Sequence, residues 1–195
     1  TMATECAYCG SPNMIPRRFD GMLRPDFIIP FKKTKEDAIA ALKEFYKGKK
    51  LLPKAFRDEN RIKEIQSMYV PFWLFDAQVS ASMDFSAETR RRRETADKII
   101  IETSHYRCER SGEMTFCGIP VDASKRMDDK YMDSIEPFDY SELRPFSAAY
   151  FTGHLADKFD VDVKESLPRA DTRLTAGVIH ALSKTVSGYT STAPS

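Results

Sequence analysis

Cys6 and Cys9 stand two residues apart, with Gly10 directly after them. Two intervening residues let both thiolates reach one tetrahedral ion, and a glycine frees the knuckle turn, so the chemistry this spacing suits is zinc binding. One pair supplies half of a four-ligand site. Cys108 and Cys117 are the other thiols. A tight hairpin turn at Ser111–Gly112 would set them as diagonal neighbours on one face, where they could join the hairpin to the knuckle through a shared ion. The plainer reading leaves them as ordinary strand residues. Thioredoxin-like redox chemistry lacks its surrounding βαβ pattern. The metal assignment is therefore Cys6 and Cys9, as the remnant of a zinc knuckle.

Two groups of cations could meet phosphate. Arg90, Arg91, Arg92 and Arg93 form one run, and Lys47, Lys49 and Lys50, with Lys54 and Arg57 beyond, form the other. Either would make nucleic-acid binding salt-dependent. No aromatic residues interleave the arginines as they do in single-strand platforms, and Glu88 and Glu94 dilute the charge. The plainer reading is a solvated hairpin tip. Asp128, Asp129 and Asp133 invite magnesium, since Asp129 and Asp133 would share a helix face. Their spacing misses the D-D-x-x-D of prenyl-diphosphate enzymes by one residue, and Lys125, Arg126 and Lys130 stand close enough to pair with them. His105, His154 and His180 are scattered, and no neighbouring Ser or Cys stands in a nucleophile elbow.

Absent motifs narrow the field further. The sequence holds no G-x-x-x-x-G-K-[ST], hence no phosphate cradle and no helicase motor, and it lacks H-E-x-x-H, G-x-S-x-G and G-x-G-x-x-G. No recognisable constellation supports an enzyme. Thirty basic against 29 acidic residues leave a formal charge of +1, which argues against a chain dominated by nucleic acid or an anionic membrane and leaves room for a local patch. With 195 residues, 42% of them hydrophobic, a true core is affordable without staples. The longest apolar run, Tyr69 to Phe75, falls far short of the ~20 residues that span a bilayer. No secretory leader pattern opens the chain and four cysteines make no disulfide framework, so a reducing cytoplasm is expected.

These residues need elements to hold them. Residues 1–19 read as a compact appendage, and 20–195 as an α+β domain. Thr34 with Asp37 forms a variant capping box opening a helix near 35–47, with an apolar stripe of Ile39, Leu42 and Tyr46 and an end at Gly48. From Asp76 to Ser86 the residues alternate without a break, Ala77, Val79, Ala81, Met83 and Phe85 on one face and polar residues on the other, which means a long strand with one dry face. Tyr69–Phe75 is apolar on both faces and interrupted by Pro71, which marks an edge or bulge. Trp73 and its aromatic neighbours most simply form core. A polar loop at 87–97 would hold the arginines. Two further strands at 98–110 and 114–121, turning at Ser111–Gly112, would complete an antiparallel meander. Residues 122–146 read as a short helix with loops, and a last helix spans about 163–187, with Leu167, Leu174, Val178, Leu182 and Val186 as its stripe and Pro168 in its first turns.

The blocks CAYCGSP, RPDFIIPFK, GKKLLPKAF, MYVPFWLFD, MDDKYMDSIEPFDYS and FDVDVKES together resemble a Firmicute-type family of bacterial transcription-factor-IIB-type zinc-ribbon proteins of unestablished function, some labelled as relatives of the primosomal replication-restart helicase. Members of that family carry a second C-x-x-C upstream and continue into a further β segment, so the resemblance implies a truncated member with half a zinc ribbon. The expectations are then an antiparallel α+β fold packed by two main helices and preceded by that half ribbon. They include zinc at Cys6 and Cys9, and a non-enzymatic binding or adaptor role toward nucleic acid or a protein partner. A replication-restart accessory, or a divalent-metal enzyme using the acidic segment 122–139, is the alternative.

Overall fold

The computed structural model describes residues 3–5, 12–14, 23–49, 62 and 65–194. Cys6, Cys9, Lys50, Lys54 and Arg57 lie outside the described residues, as does the 19/20 boundary expected between appendage and domain. The chain is α+β, with antiparallel strands and, among the described residues, three α-helices. It gathers into two compact units that alternate along the sequence: Thr1–Pro71 with Asp122–Asp162, and Phe72–Val121 with Val163–Ser195.

In the first unit, β1 (Ala3–Glu5) pairs antiparallel with β2 (Pro12–Met14), Ala3 opposite Met14 and Glu5 opposite Pro12. The Cys6–Cys9 pair falls between these strands in sequence. A second small ladder joins β3 (Phe27–Ile28) to β7 (Arg144–Pro145), antiparallel, and a third joins β4 (Met68–Tyr69) to β8 (Leu155–Ala156), parallel. Helix α1 runs Lys35–Tyr46 behind the capping box the sequence announces: the Asp37 N–H donates to Thr34 Oγ1, and the Thr34 N–H to the Asp37 carboxylate. Gly48 follows the helix at φ 79°, a left-handed conformation that suits a residue without Cβ. Short helix α2 (Asp129–Asp133) is capped by the Asp128 side chain. Ile28, Phe151 and Ala156 form the buried centre, flanked by Tyr69, Phe146 and Tyr150.

The second unit is built on one long hairpin. Strand β5 spans Phe72–Glu94 and β6 spans Ile99–Asp122, and the short strand β9 (Ser191–Pro194) pairs antiparallel with β5, giving the order β6-β5-β9. Contacts of Ser82 with Glu109, Asp84 with Arg107 and Glu88 with His105 step in opposite directions along β5 and β6, as antiparallel neighbours must. The alternation read from 76 to 86 is present: Val79, Ala81, Met83 and Phe85 face the core that helix α3 (Val163–Ser183) helps to cover. Phe85, Ala87, Cys108, Val178, Leu182 and Val186 are its buried members. Gly177 lets α3 approach the sheet closely, since a Cβ there would sit 2.9 Å from the Phe116 ring.

Several boundaries differ from the sequence reading. The arginine run is not in a loop, because β5 continues through Glu94 and the connection shrinks to residues 95–98, closed by the Thr95 N–H donating to the Lys98 carbonyl at 2.9 Å. Ser111–Gly112 is not a turn but lies within the continuous strand β6. A two-residue hairpin turn demands positive φ, and Gly112 does not have it, whereas Gly118 does at 68°, the conformation of a glycine bulge. Leu167 is 50% exposed, and Ser166 and Ala170 occupy the buried stripe in its place. The buried positions (166, 170, 178, 182) thus stand at multiples of four, with the half-buried Leu174 between, and four residues turn the helix 40° past a full revolution, which carries the buried face away from position 167.

Candidate binding surface

Strand alternation decides where each arginine points. Glu88, Arg90, Arg92 and Glu94 share one face of β5, and Arg91 and Arg93 share the other. Arg90 reaches Glu88 at 3.2 Å and Arg92 reaches Glu94 at 3.3 Å, while His105 Nδ1 lies 3.2 Å from the other Glu88 oxygen. The face of Arg90 and Arg92 is therefore charge-compensated. Among the described residues no ion pair engages Arg91 or Arg93. Beyond the β9 ladder, where the Arg90 N–H donates to Thr190 Oγ1 at 3.0 Å, residues 90–94 and 99–107 are exposed on both strands. This outer half of the hairpin is an arm of paired backbone with no core of its own.

The arm's other strand is apolar where burial would be expected and solvent is found. Ile99, Ile100 and Ile101 are 52%, 44% and 64% exposed, and Tyr106 is 46% exposed beside Tyr189, ring centroids 5.4 Å apart. Ordered β-branched residues open to water on a hairpin with a free edge are a common mark of an interaction surface.

The remaining sequence candidates are placed as follows. Lys47 pairs with Glu44 at 3.5 Å, and Lys49 Nζ lies over the Phe45 ring, 3.1 Å from its centroid. Both belong to the end of α1, and Lys50 lies outside the described residues. Cys108 is buried with its Sγ 3.2 Å from Tyr189 Oη, whereas Cys117 is exposed. The two lie on opposite faces of one strand, with roughly 30 Å of strand between them at ~3.3 Å per residue, so they do not converge on one ion. That corrects the expectation of diagonal neighbours. In the acidic segment, Asp128 caps α2 and Asp139 accepts from the Ser141 N–H and hydroxyl. Among the described residues no group of three His, Cys, Asp or Glu side chains is arranged to hold a metal.

The first unit holds two polar arrangements that sequence reading missed. Ser67 Oγ lies 2.5 Å from His154 Nδ1, and the imidazole stacks on Phe31 at 4.8 Å with Tyr69 edge-on at 5.4 Å. Tyr69 Oη accepts from the Phe31 N–H at 3.2 Å. Nearby in sequence to His154, the buried Asp157 carboxylate accepts from Ser124 Oγ at 2.8 Å and from the Lys158 N–H at 3.0 Å. Partners this far apart in the chain leave no local spacing to read. Among the described residues no carboxylate hydrogen-bonds the His154 ring, so the Ser67–His154 pair lacks the orienting third group of a nucleophile relay.

Burial holds the His154 imidazole below its ordinary value of 6.5. The unfolded chain then binds the extra proton first, so stability from this site is present above about pH 6.5 and falls as pH drops through the lowered folded value. Urea titrations between pH 5 and 8 should show that loss, and His154→Gln should remove this component. An unchanged pH slope in the variant would assign the dependence elsewhere.

No family model matches the chain, and no solved structure matches it. The chain is similar to the uncharacterized protein YdjG of Bacillus subtilis (strain 168), with 36% identity over 174 residues, covering 89% of this chain and 51% of the relative. The chain thus spans about half the length of the curated relative it matches. Among the described residues no helix is long and apolar enough to cross a membrane.

Proposed function

We propose that this chain is a non-enzymatic binding module that docks a protein partner through the exposed arm of the β5–β6 hairpin. The observation that carries the reading is the two-sided exposure of residues 90–94 and 99–107, with three isoleucines more than 40% exposed on ordered strand. Arginine beside tyrosine and apolar side chains is the composition of protein hot spots. A nucleic-acid groove would need a run of uncompensated cations, and here ion pairs with Glu88 and Glu94 engage Arg90 and Arg92 and leave Arg91 and Arg93 to the docking face. Zinc at Cys6 and Cys9 belongs to the same reading as a structural ion. Its support is the pairing of β1 with β2 on either side of the C-x-x-C, which is how a knuckle presents two thiolates, and it requires two further ligands from outside this pair.

A photo-crosslinking residue placed at position 91, 93 or 101 of the protein in its host cells tests the docking role. Discrete crosslinked protein species are expected from the arm and not from position 167, where Leu167 is equally exposed on α3. Equal labelling at 167, or tight salt-sensitive oligonucleotide binding lost in Arg91→Glu/Arg93→Glu, would overturn it.

A further inference from the structure

The arm's free edge carries a sequence that is complementary to itself. In the order β6-β5-β9 strand β6 is an outer strand, and among the described residues nothing pairs with its other edge. Its first residues, with the turn residue before them, read Lys98-Ile99-Ile100-Ile101-Glu102. Laid antiparallel against a second copy with the two-fold axis at Ile100, this segment sets Lys98 opposite Glu102, Ile99 opposite Ile101 and Ile100 opposite its own counterpart. The two halves then repeat each other, as an isologous contact requires. Lys98, Ile100 and Glu102 share one face and Ile99 and Ile101 the other. Each ionic pair is thus on the same side of the new ladder, and each apolar residue meets an apolar one. Sliding the copies by two residues in either direction puts a charge of Lys98 or Glu102 against isoleucine, so the register is specific. No ion pair engages Lys98 or Glu102 among the described residues, leaving both available for the crossing.

We infer that the docking partner of the arm is a second copy of this chain, joined edge to edge through residues 98–102 of β6 into a β5-β6-β6-β5 sheet across the two-fold axis. This rests on the reading of the arm as a protein-docking surface and names its occupant. The crossing uses one short segment from each copy and buries well under the ~1,200 Å² of standard stable complexes. The expected assembly is therefore a weak, concentration-dependent dimer, with a Kd on the order of 10–100 µM.

Sedimentation velocity of the intact chain across that concentration range provides the test. Lys98→Glu and Glu102→Lys should each weaken dimerisation by about tenfold or more, because each places like charges opposite one another twice. The double variant Lys98→Glu/Glu102→Lys should restore it to within about threefold of the original. Restoration separates lost complementarity from a fold damaged at the hairpin tip. A monomer at every concentration, single reversals without effect, or a double variant that stays monomeric would overturn the self-pairing. Should crosslinks from the arm then lead to a different protein, the docking role stands without the second copy; should the arm give no crosslinks, both fall.

Discussion

Phe85→Ala is expected to lower the stability of the unit formed by residues 72–121 and 163–195 by about 3–5 kcal/mol. Phe85 is fully buried and stands on the dry face of β5, in one cluster with Val178 and Leu182 of α3 and with Val186. It is also the β5 residue facing Pro194, at the last pair of the β9 ladder. Removing the ring forfeits its transfer energy and leaves a cavity beneath a helix that Gly177 has already brought close to the sheet. Because domains are stable by only ~5–15 kcal/mol, such a loss is a large fraction of the whole. Urea denaturation would give the magnitude, and hydrogen exchange of β5 and α3 amides would locate it. Phe85→Leu should cost roughly a third as much, and Gln78→Ala, on the wet face of the same strand, should fall within about 0.5 kcal/mol of the parent. A Phe85→Ala cost below ~1 kcal/mol would mean that α3 does not depend on this face.

The features that were legible beforehand share one property: their signal is local and periodic. Alternation from 76 to 86 records a half-buried strand because burial on one side dictates every second residue, and Thr34 with Asp37 records a helix start because two backbone N–H groups need acceptors there. The continuation of β5 through Arg90–Arg93 had no such imprint. An arm exposed on both faces imposes no apolar period, so its sequence resembles a loop while its backbone is a ladder. Ser111–Gly112 misled for the complementary reason: composition suggested a turn, but a turn also needs positive φ, and the chain uses that freedom at Gly118, whose N–H donates to the Asp76 carboxylate at 2.7 Å.

The site was legible in its residue types but not in its placement. Sequence marked the arginines as a cluster, but it took the strand pairing to show that two are neutralised and two are not. It passed over Ile99–Ile101 as the start of an ordinary strand, because exposure is a tertiary property. The division of the chain after Pro71 and again after Val121 and Asp162 is likewise invisible to local reading, since each unit is assembled from two segments separated by a segment of the other.

Asp157→Ala should cost the other unit about 2–4 kcal/mol, with the loss concentrated where β4 meets β8. The Asp157 side chain is 3% exposed, and its two oxygens divide their work: one accepts from Ser124 Oγ, the other from the Lys158 N–H, with Arg126 Nη1 at 3.9 Å. Ser124 is itself buried and accepts from the Arg126 N–H at 3.3 Å. The Asp157 backbone N–H donates to the Tyr69 carbonyl at 2.8 Å, extending the parallel pairing of Tyr69 with Ala156 by one bond. Alanine would strand the buried Ser124 hydroxyl and remove the acceptor of the Lys158 N–H, and unmade hydrogen bonds of buried groups cost far more than made ones contribute. Asp157→Asn keeps one acceptor oxygen, turns an NH2 toward the other partner and loses the charge, so about 1–2 kcal/mol is expected. Ser124→Ala should be milder still, and the Asp157→Ala/Ser124→Ala double variant should cost less than the sum of the two, since the stranded hydroxyl is gone. Additive losses would show that the two side chains do not act as a pair. Hydrogen exchange at residues 69 and 155–157 supplies the local readout. Faster exchange there in Asp157→Ala, with β5 and α3 amides unaffected, would place the carboxylate as the clasp of the β4–β8 ladder and assign it no chemistry of its own.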